Sequence, residues 1–132
     1  MKNKVLVIEE NTMMRLFLST YLSKRYTVNS YRSVDEAIEN FEHEPDVIVH
    51  YYNNYAKQDL ISLKKNLILR DIPTMGLTAG DDSAERLEAY RLGISDCLSK
   101  PFHPEELVVR LQKLVGRNNS IDRKYKKSAI AI

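Results

Sequence analysis

The sequence predicts an α/β domain, a doubly wound five-stranded parallel sheet of (βα)5 order, and three observations carry that prediction. Short apolar runs such as Val5-Leu6-Val7-Ile8 and Val47-Ile48-Val49 recur without polar alternation. Uninterrupted runs of this kind mark strands covered on both faces, as in parallel sheets packed between helices. Helix-length segments with their own start and stop residues lie between the runs. The chain's 132 residues suit one domain with one core and leave no room for a second full domain.

The elements follow in order. The first strand is expected at residues 5–8. Residues 12–23 form a helix that places Met13, Met14, Phe17, Thr20, Tyr21 and Leu22 near one face. A weaker strand spans residues 26–30. Ser33-Val34-Asp35-Glu36 then reads as a capping box, in which the serine hydroxyl and the glutamate carboxylate each satisfy a backbone N–H. The helix it opens runs through Phe41. The third strand covers residues 47–49, and a third helix covers 60–69, ended before Pro73. After a fourth strand at 75–77, a helix over 83–92 is stopped by Gly93. A weak fifth strand at 96–99 leads to the last helix, which opens on Pro104 and is stopped at Gly116.

Composition bounds the function. With 43% hydrophobic and 29% charged residues and four each of Gly and Pro, the chain is globular rather than disordered. One cysteine, Cys97, excludes an intramolecular disulfide. No signal-like segment or long apolar run appears, so a cytoplasmic location without membrane contact is expected. The net charge of +2 is unevenly spread: residues 117–132 hold five Lys/Arg and one Asp, so the body is slightly acidic. Residues 118–132, with Arg123, Lys124, Lys126 and Lys127, read as a basic linker or tail rather than a nucleic-acid surface.

Right-handed crossovers force helices onto both faces of such a sheet, and ligands bind at the carboxyl ends of its central strands. Those ends carry Glu9-Glu10-Asn11, His50-Tyr51-Tyr52-Asn53-Asn54, Thr78-Ala79 and Lys100-Pro101-Phe102.

With these residues in place, positions 3–117 resemble the receiver domain of two-component response regulators, of the OmpR/PhoB type. The resemblance rests on Lys4-Val5-Leu6-Val7-Ile8, on Thr78-Ala79, and above all on Leu98-Ser99-Lys100-Pro101-Phe102 followed by Pro104-Glu105-Glu106-Leu107 and Arg110. It implies a flavodoxin-like sheet of strand order 2-1-3-4-5. It also implies two acidic residues for Mg²⁺ after the first strand, an aspartate phosphoacceptor ending the third, and a Thr and a Lys that contact the phosphoryl group. Thr78 and Lys100 hold the last two positions, and Glu9 and Glu10 hold the acidic pair. Pro45-Asp46-Val47-Ile48-Val49 sets a register that puts Tyr51 at the phosphoacceptor position.

That replacement decides the chemistry. Phosphoryl transfer to a receiver needs a carboxylate that becomes an acyl phosphate, and a phenol cannot form one. With a reference pKa of about 10, Tyr51 is a protonated donor at neutral pH. His50 should point to the opposite face of the strand, and Asp46 sits at the strand's start, so neither substitutes readily. Glu9 and Glu10 are one methylene longer than aspartate, whereas Mg²⁺ demands octahedral geometry at about 2.0–2.1 Å; no resident cofactor is expected, with Mg²⁺ at most weakly held. Lys100 is expected to pair structurally with Glu9, Glu10 or Tyr51.

The resemblance further implies an inward-swinging aromatic on the fifth strand, a position held by Cys97, read as a small core residue. Gly76 is expected to leave room for a bulky neighbour such as Tyr51. The surface of the fourth helix, fifth strand and fifth helix carries Asp96 and Arg110, which match a charge pair of the family's dimer interface, while Arg91 departs from it. The expected function is an atypical receiver, not an enzyme, that acts without phosphorylation through a protein partner or its own dimer, and touches DNA only through an appended domain. The alternatives are a stand-alone adaptor, and a receiver phosphorylated on Asp46, His50 or Tyr51. An enzyme on this architecture lacks support: there is no Gly-rich phosphate loop, and His43, His50 and His103 are scattered.

Overall fold

The computed structural model describes residues 2–117, so the expected basic tail lies outside the described residues. Ten elements alternate: β1 Lys4–Ile8, α1 Thr12–Leu22, β2 Thr27–Tyr31, α2 Val34–Asn40, β3 Val47–Tyr52, α3 Lys57–Lys65, β4 Thr74–Thr78, α4 Ser83–Arg91, β5 Asp96–Ser99 and α5 Pro104–Arg117. The strands form one parallel sheet, as the sequence predicts, in the order β2-β1-β3-β4-β5 that the receiver resemblance implies. Its outer strands, β2 and β5, are the weakly apolar ones, because an edge strand needs less cover than a central one.

Alternation along each strand divides the core into two layers. Val5, Val7, Val47, Val49, Met75, Leu77 and Leu98 face Leu18 and Leu22 of α1 and Leu107, Val108 and Leu111 of α5. Leu6, Ile8, Ile48 and Tyr52 face α2, α3 and α4 through Val34, Ala37, Leu60, Leu63 and Ala89. All six β3 residues are buried. At about 25 cal/mol per Å² of apolar surface, these two layers supply the main force holding the fold.

Local capping follows the sequence. The Asn11 side chain accepts from Met14 N at 2.8 Å and opens α1. Ser33 Oγ accepts from Glu36 N at 3.1 Å while Glu36 returns a bond from Arg32 N at 3.3 Å, which opens α2. Gly93 takes φ 107° after α4, a left-handed conformation suited to glycine.

Four details differ from expectation. In α1 the buried stripe is Leu18 and Leu22, with Met14 and Tyr21 at its border, while Met13 and Phe17 are 75% and 41% exposed. The i, i+4, i+8 row of Met14, Leu18 and Leu22 wins over the larger side chains one position earlier. The third helix runs over Lys57–Lys65 rather than 60–69, because Asn66 Oδ1 accepts from Ile68 N and Leu69 N, both at 3.0 Å, and folds the next residues into a turn. The third strand extends to Tyr52 through the pairings Tyr51↔Leu77 and Tyr52↔Thr78. Finally, the space over Gly76 is not taken by Tyr51: an added Cβ would meet Ile94 Cδ1 at 2.8 Å and Cys97 Sγ at 3.5 Å.

Candidate functional site

The carboxyl ends of β1, β3, β4 and β5 converge because the parallel sheet brings all strand ends to one side, and Glu9, Tyr51, Thr78 and Lys100 stand there. Lys100 Nζ donates to Glu9 Oε1 at 2.6 Å, a contact between a 2%-exposed carboxylate and an ammonium that is 25% exposed. The other carboxylate oxygen of Glu9 accepts from Asn11 N at 3.4 Å. Glu10 is exposed, so the two acids after β1 differ in burial. Arg15 fastens the turn between them, donating from Nη1 to Glu9 O at 2.8 Å and Glu10 O at 3.5 Å.

Tyr51 is 8% exposed and donates its hydroxyl proton to Asp59 Oδ2 in α3 at 2.9 Å. Burial, the bond to Asp59, and the nearby charges of Asp59, Glu10 and Glu9 all raise its pKa well above that of an ordinary phenol. The phenol therefore stays protonated and serves as a donor.

His50 precedes it and is fully buried. Its Nδ1 meets Tyr51 O, while Nε2 has no hydrogen-bond partner among the described residues. Desolvation lowers the imidazole pKa to about 4, against smaller upward pulls from the Tyr51 carbonyl, Asp59 and Glu9. The His50 and Tyr51 rings lie 5.0 Å apart, so the alternation expected to send them to opposite faces fails at the strand end, where Tyr51 turns toward α3. Asp46, at the far end of β3, accepts from Lys4 N at 2.7 Å.

Thr78 is fully buried, and its hydroxyl lies 3.1 Å from Ser99 Oγ and donates to Gly80 O at 3.2 Å. Cys97 is a buried free thiol whose pKa is raised, by burial first. Its backbone N–H donates to Tyr90 Oη at 3.2 Å, so an aromatic side chain from α4 lies against this position of β5. Nearby, the Tyr52 hydroxyl donates to Glu88 of α4.

Asp96 and Arg110 pair within the one chain. Arg110 Nη1 reaches the two Asp96 oxygens at 3.1 and 3.2 Å and Cys97 O at 3.1 Å, while Nη2 reaches Glu106 at 3.0 Å. Arg91 is exposed at the end of α4.

A divalent cation does not fit this donor set. Both oxygens of Glu9 are engaged, Glu10 is exposed, and the group that Tyr51 contributes is a protonated phenol rather than a carboxylate. No group of three His, Cys, Asp or Glu suited to a metal occurs among the described residues. No described helix is long and apolar enough to cross a membrane.

Sequence reasoning missed three partners: Asp59, Ser99 and Tyr90. Ser99 could have been found from strand register, since it sits opposite Thr78. Asp59 fell before the expected start of the third helix, and nothing in the sequence points Tyr90 at β5.

A family model for the response regulator receiver domain matches residues 5–112. The chain is 33% identical over 121 residues to the probable transcriptional regulator ycf27 of Guillardia theta, covering 89% of this chain and 47% of that protein. It is 31% identical over 122 residues to the virulence transcriptional regulatory protein PhoP of Salmonella choleraesuis, covering 89% and 54%. The chain thus spans about half the length of the curated relatives it matches. Among solved structures, the chemotaxis response regulator CheY4 of Vibrio cholerae superposes with a TM-score of 0.76 at 24% identity, over 86% of this chain and 99% of that one.

Proposed function

The chain belongs to the response regulator receiver domain family, and we propose that it is a member that signals by protein association without aspartyl phosphorylation. The observation that carries this reading is the state of the acceptor position. A protonated phenol stands there, directed to Asp59 rather than to Lys100. Lys100 is held by Glu9, and the Thr78 hydroxyl is engaged with Ser99 and Gly80. Each side chain that would answer a phosphoryl group already has a partner within the domain. Such a domain is a fixed recognition module rather than an enzyme and works without Mg²⁺ in the cytoplasm.

Self-association through α4, β5 and α5 is part of the reading. Leu87 and Tyr90 on α4 and Val109 on α5 are 43–50% exposed and lie on the same two helices as Arg91 and Arg110. Apolar side chains contribute affinity where exposed charge pairs contribute about 0–1 kcal/mol. The names of the relatives, both transcriptional regulators, support a role in transcription control, which the reading assigns to an appended DNA-binding domain.

Sedimentation equilibrium of this chain, with and without acetyl phosphate and Mg²⁺, tests the proposal. The expected result is a dimer fraction that rises with concentration and ignores the phosphodonor. A phosphodonor-dependent shift would contradict the reading, and monomer alone at high micromolar concentration would remove its dimer.

A further inference from the structure

Beside the degenerate acceptor site, between α1 and the β2–α2 turn, lies a cavity of about 300 Å³ lined by Arg15, Ser30, Tyr31, Arg32 and Glu36. We propose that this cavity binds a phosphate group, carried free or on a small molecule. The inference goes beyond the proposed function, since it concerns a different set of residues and holds whether or not Tyr51 is ever modified.

Two guanidinium groups come to this cavity from separate elements. Arg15, half-buried on α1, spends Nη1 on the carbonyls of Glu9 and Glu10. No other bond of its guanidinium involves a described residue, so its remaining N–H groups can turn to the cavity. Arg32, after β2, is exposed, and its bond to Glu36 runs from the backbone N–H, leaving its guanidinium unpaired among the described residues. Two planar forks and the Ser30 hydroxyl match the tetrahedral oxygens of a phosphate, which takes charge-assisted bonds from several directions. The volume of about 300 Å³ is at the lower end for a small-ligand site, and the cavity opens to solvent, which suits a small charged group such as phosphate. Tyr31 completes the lining, and it is anchored because it packs against the core layer under α2 and α3.

Glu36 opposes this by its charge. Its carboxylate is tied to the Arg32 backbone in the capping arrangement, so it lowers affinity without blocking the guanidinium groups. Arg15 also holds the carbonyls of the Glu9 turn, so an anion that draws on Arg15 acts on the residue paired with Lys100. Occupancy would thus reach the strand ends without any covalent step.

The test is amide chemical-shift titration of the whole chain with inorganic phosphate and, in a separate arm, glycerol 3-phosphate, both at constant ionic strength set with chloride. Saturable shifts at residues 9–10, 15 and 30–32 are expected. Arg32→Gln should weaken binding by about tenfold, one charge-assisted contact. Glu36→Gln should tighten it. Tighter binding of the ester identifies a small-molecule ligand, and equal binding identifies free phosphate; both support the site. Shifts that do not saturate, or that are unchanged in Arg32→Gln, would overturn it. Arg32→Gln is the decisive variant because its side chain is exposed and holds nothing else in the fold, whereas Arg15→Gln also releases the Glu9 turn.

Discussion

The Tyr51 hydroxyl donates to Asp59 at 2.9 Å across eight residues, tying the end of β3 to the first turn of α3. The end of β3, where the proposed reading puts the lost phosphoacceptor, is thus closed by a hydrogen bond from within.

Removing that hydroxyl leaves the ring and its packing. Tyr51→Phe should lower stability by about 1 kcal/mol, the value of one hydrogen bond whose acceptor can still reach water. Urea unfolding at neutral pH measures it. Self-association should be unchanged, because the α4, β5 and α5 surface is untouched.

The Glu9–Lys100 pair should matter more. Lys100→Met leaves a carboxylate that is 2% exposed without its cation. Breaking a buried pair from one side costs roughly 3–5 kcal/mol, and the partial exposure of Lys100 favours the lower end, about 3 kcal/mol. Adding Glu9→Gln should recover most of the loss. Unfolding of the two single variants and the double variant closes the cycle, and additive losses would show that the pair does not interact.

His50 gives the domain an acid-sensitive core. Its folded pKa of about 4 lies below the ordinary histidine value of 6.5. The unfolded chain therefore takes up a proton first as pH falls. Stability is fully present above pH 6.5, declines through the interval down to about 4, and then levels off for this group. The depression corresponds to about 3 kcal/mol. His50→Leu should remove this share of the slope, leaving a smaller loss of stability between pH 6.5 and 4 than in the parent. The difference between the two proteins in urea midpoints across that interval is the readout, and equal slopes would show that His50 does not titrate on unfolding.

Much of this architecture was legible in the sequence because its signals are local. Val5 to Ile8 and Val47 to Val49 declare central strands by burying every residue, and Ser33 with Glu36 declares a helix start. The extent of β3 was only partly legible, since Pro45 and Asp46 mark where it begins while its pairing with β4 carries it on to Tyr52. What escaped depends on tertiary reach. Glu9 and Glu10 look equivalent in sequence, yet the turn held by Arg15 buries one and exposes the other. Asp96 and Arg110 also pair within one molecule across fourteen residues of chain, a contact that their spacing alone does not announce. Tyr90 covers the backbone of Cys97 from another element, a contact no spacing rule encodes. The cavity at Arg15 and Arg32 likewise depends on how α1 crosses the end of β2.

The central claim is that this receiver accepts no phosphoryl group at the end of its third strand. Intact-mass spectrometry of the chain after incubation with acetyl phosphate and Mg²⁺ tests it most directly, followed by peptide mapping of residues 46–59. The expected result is an unmodified mass under conditions that label a receiver carrying the usual aspartate. A mass gain of one phosphoryl group, mapped to Asp46, His50, Tyr51 or Asp59, would contradict it.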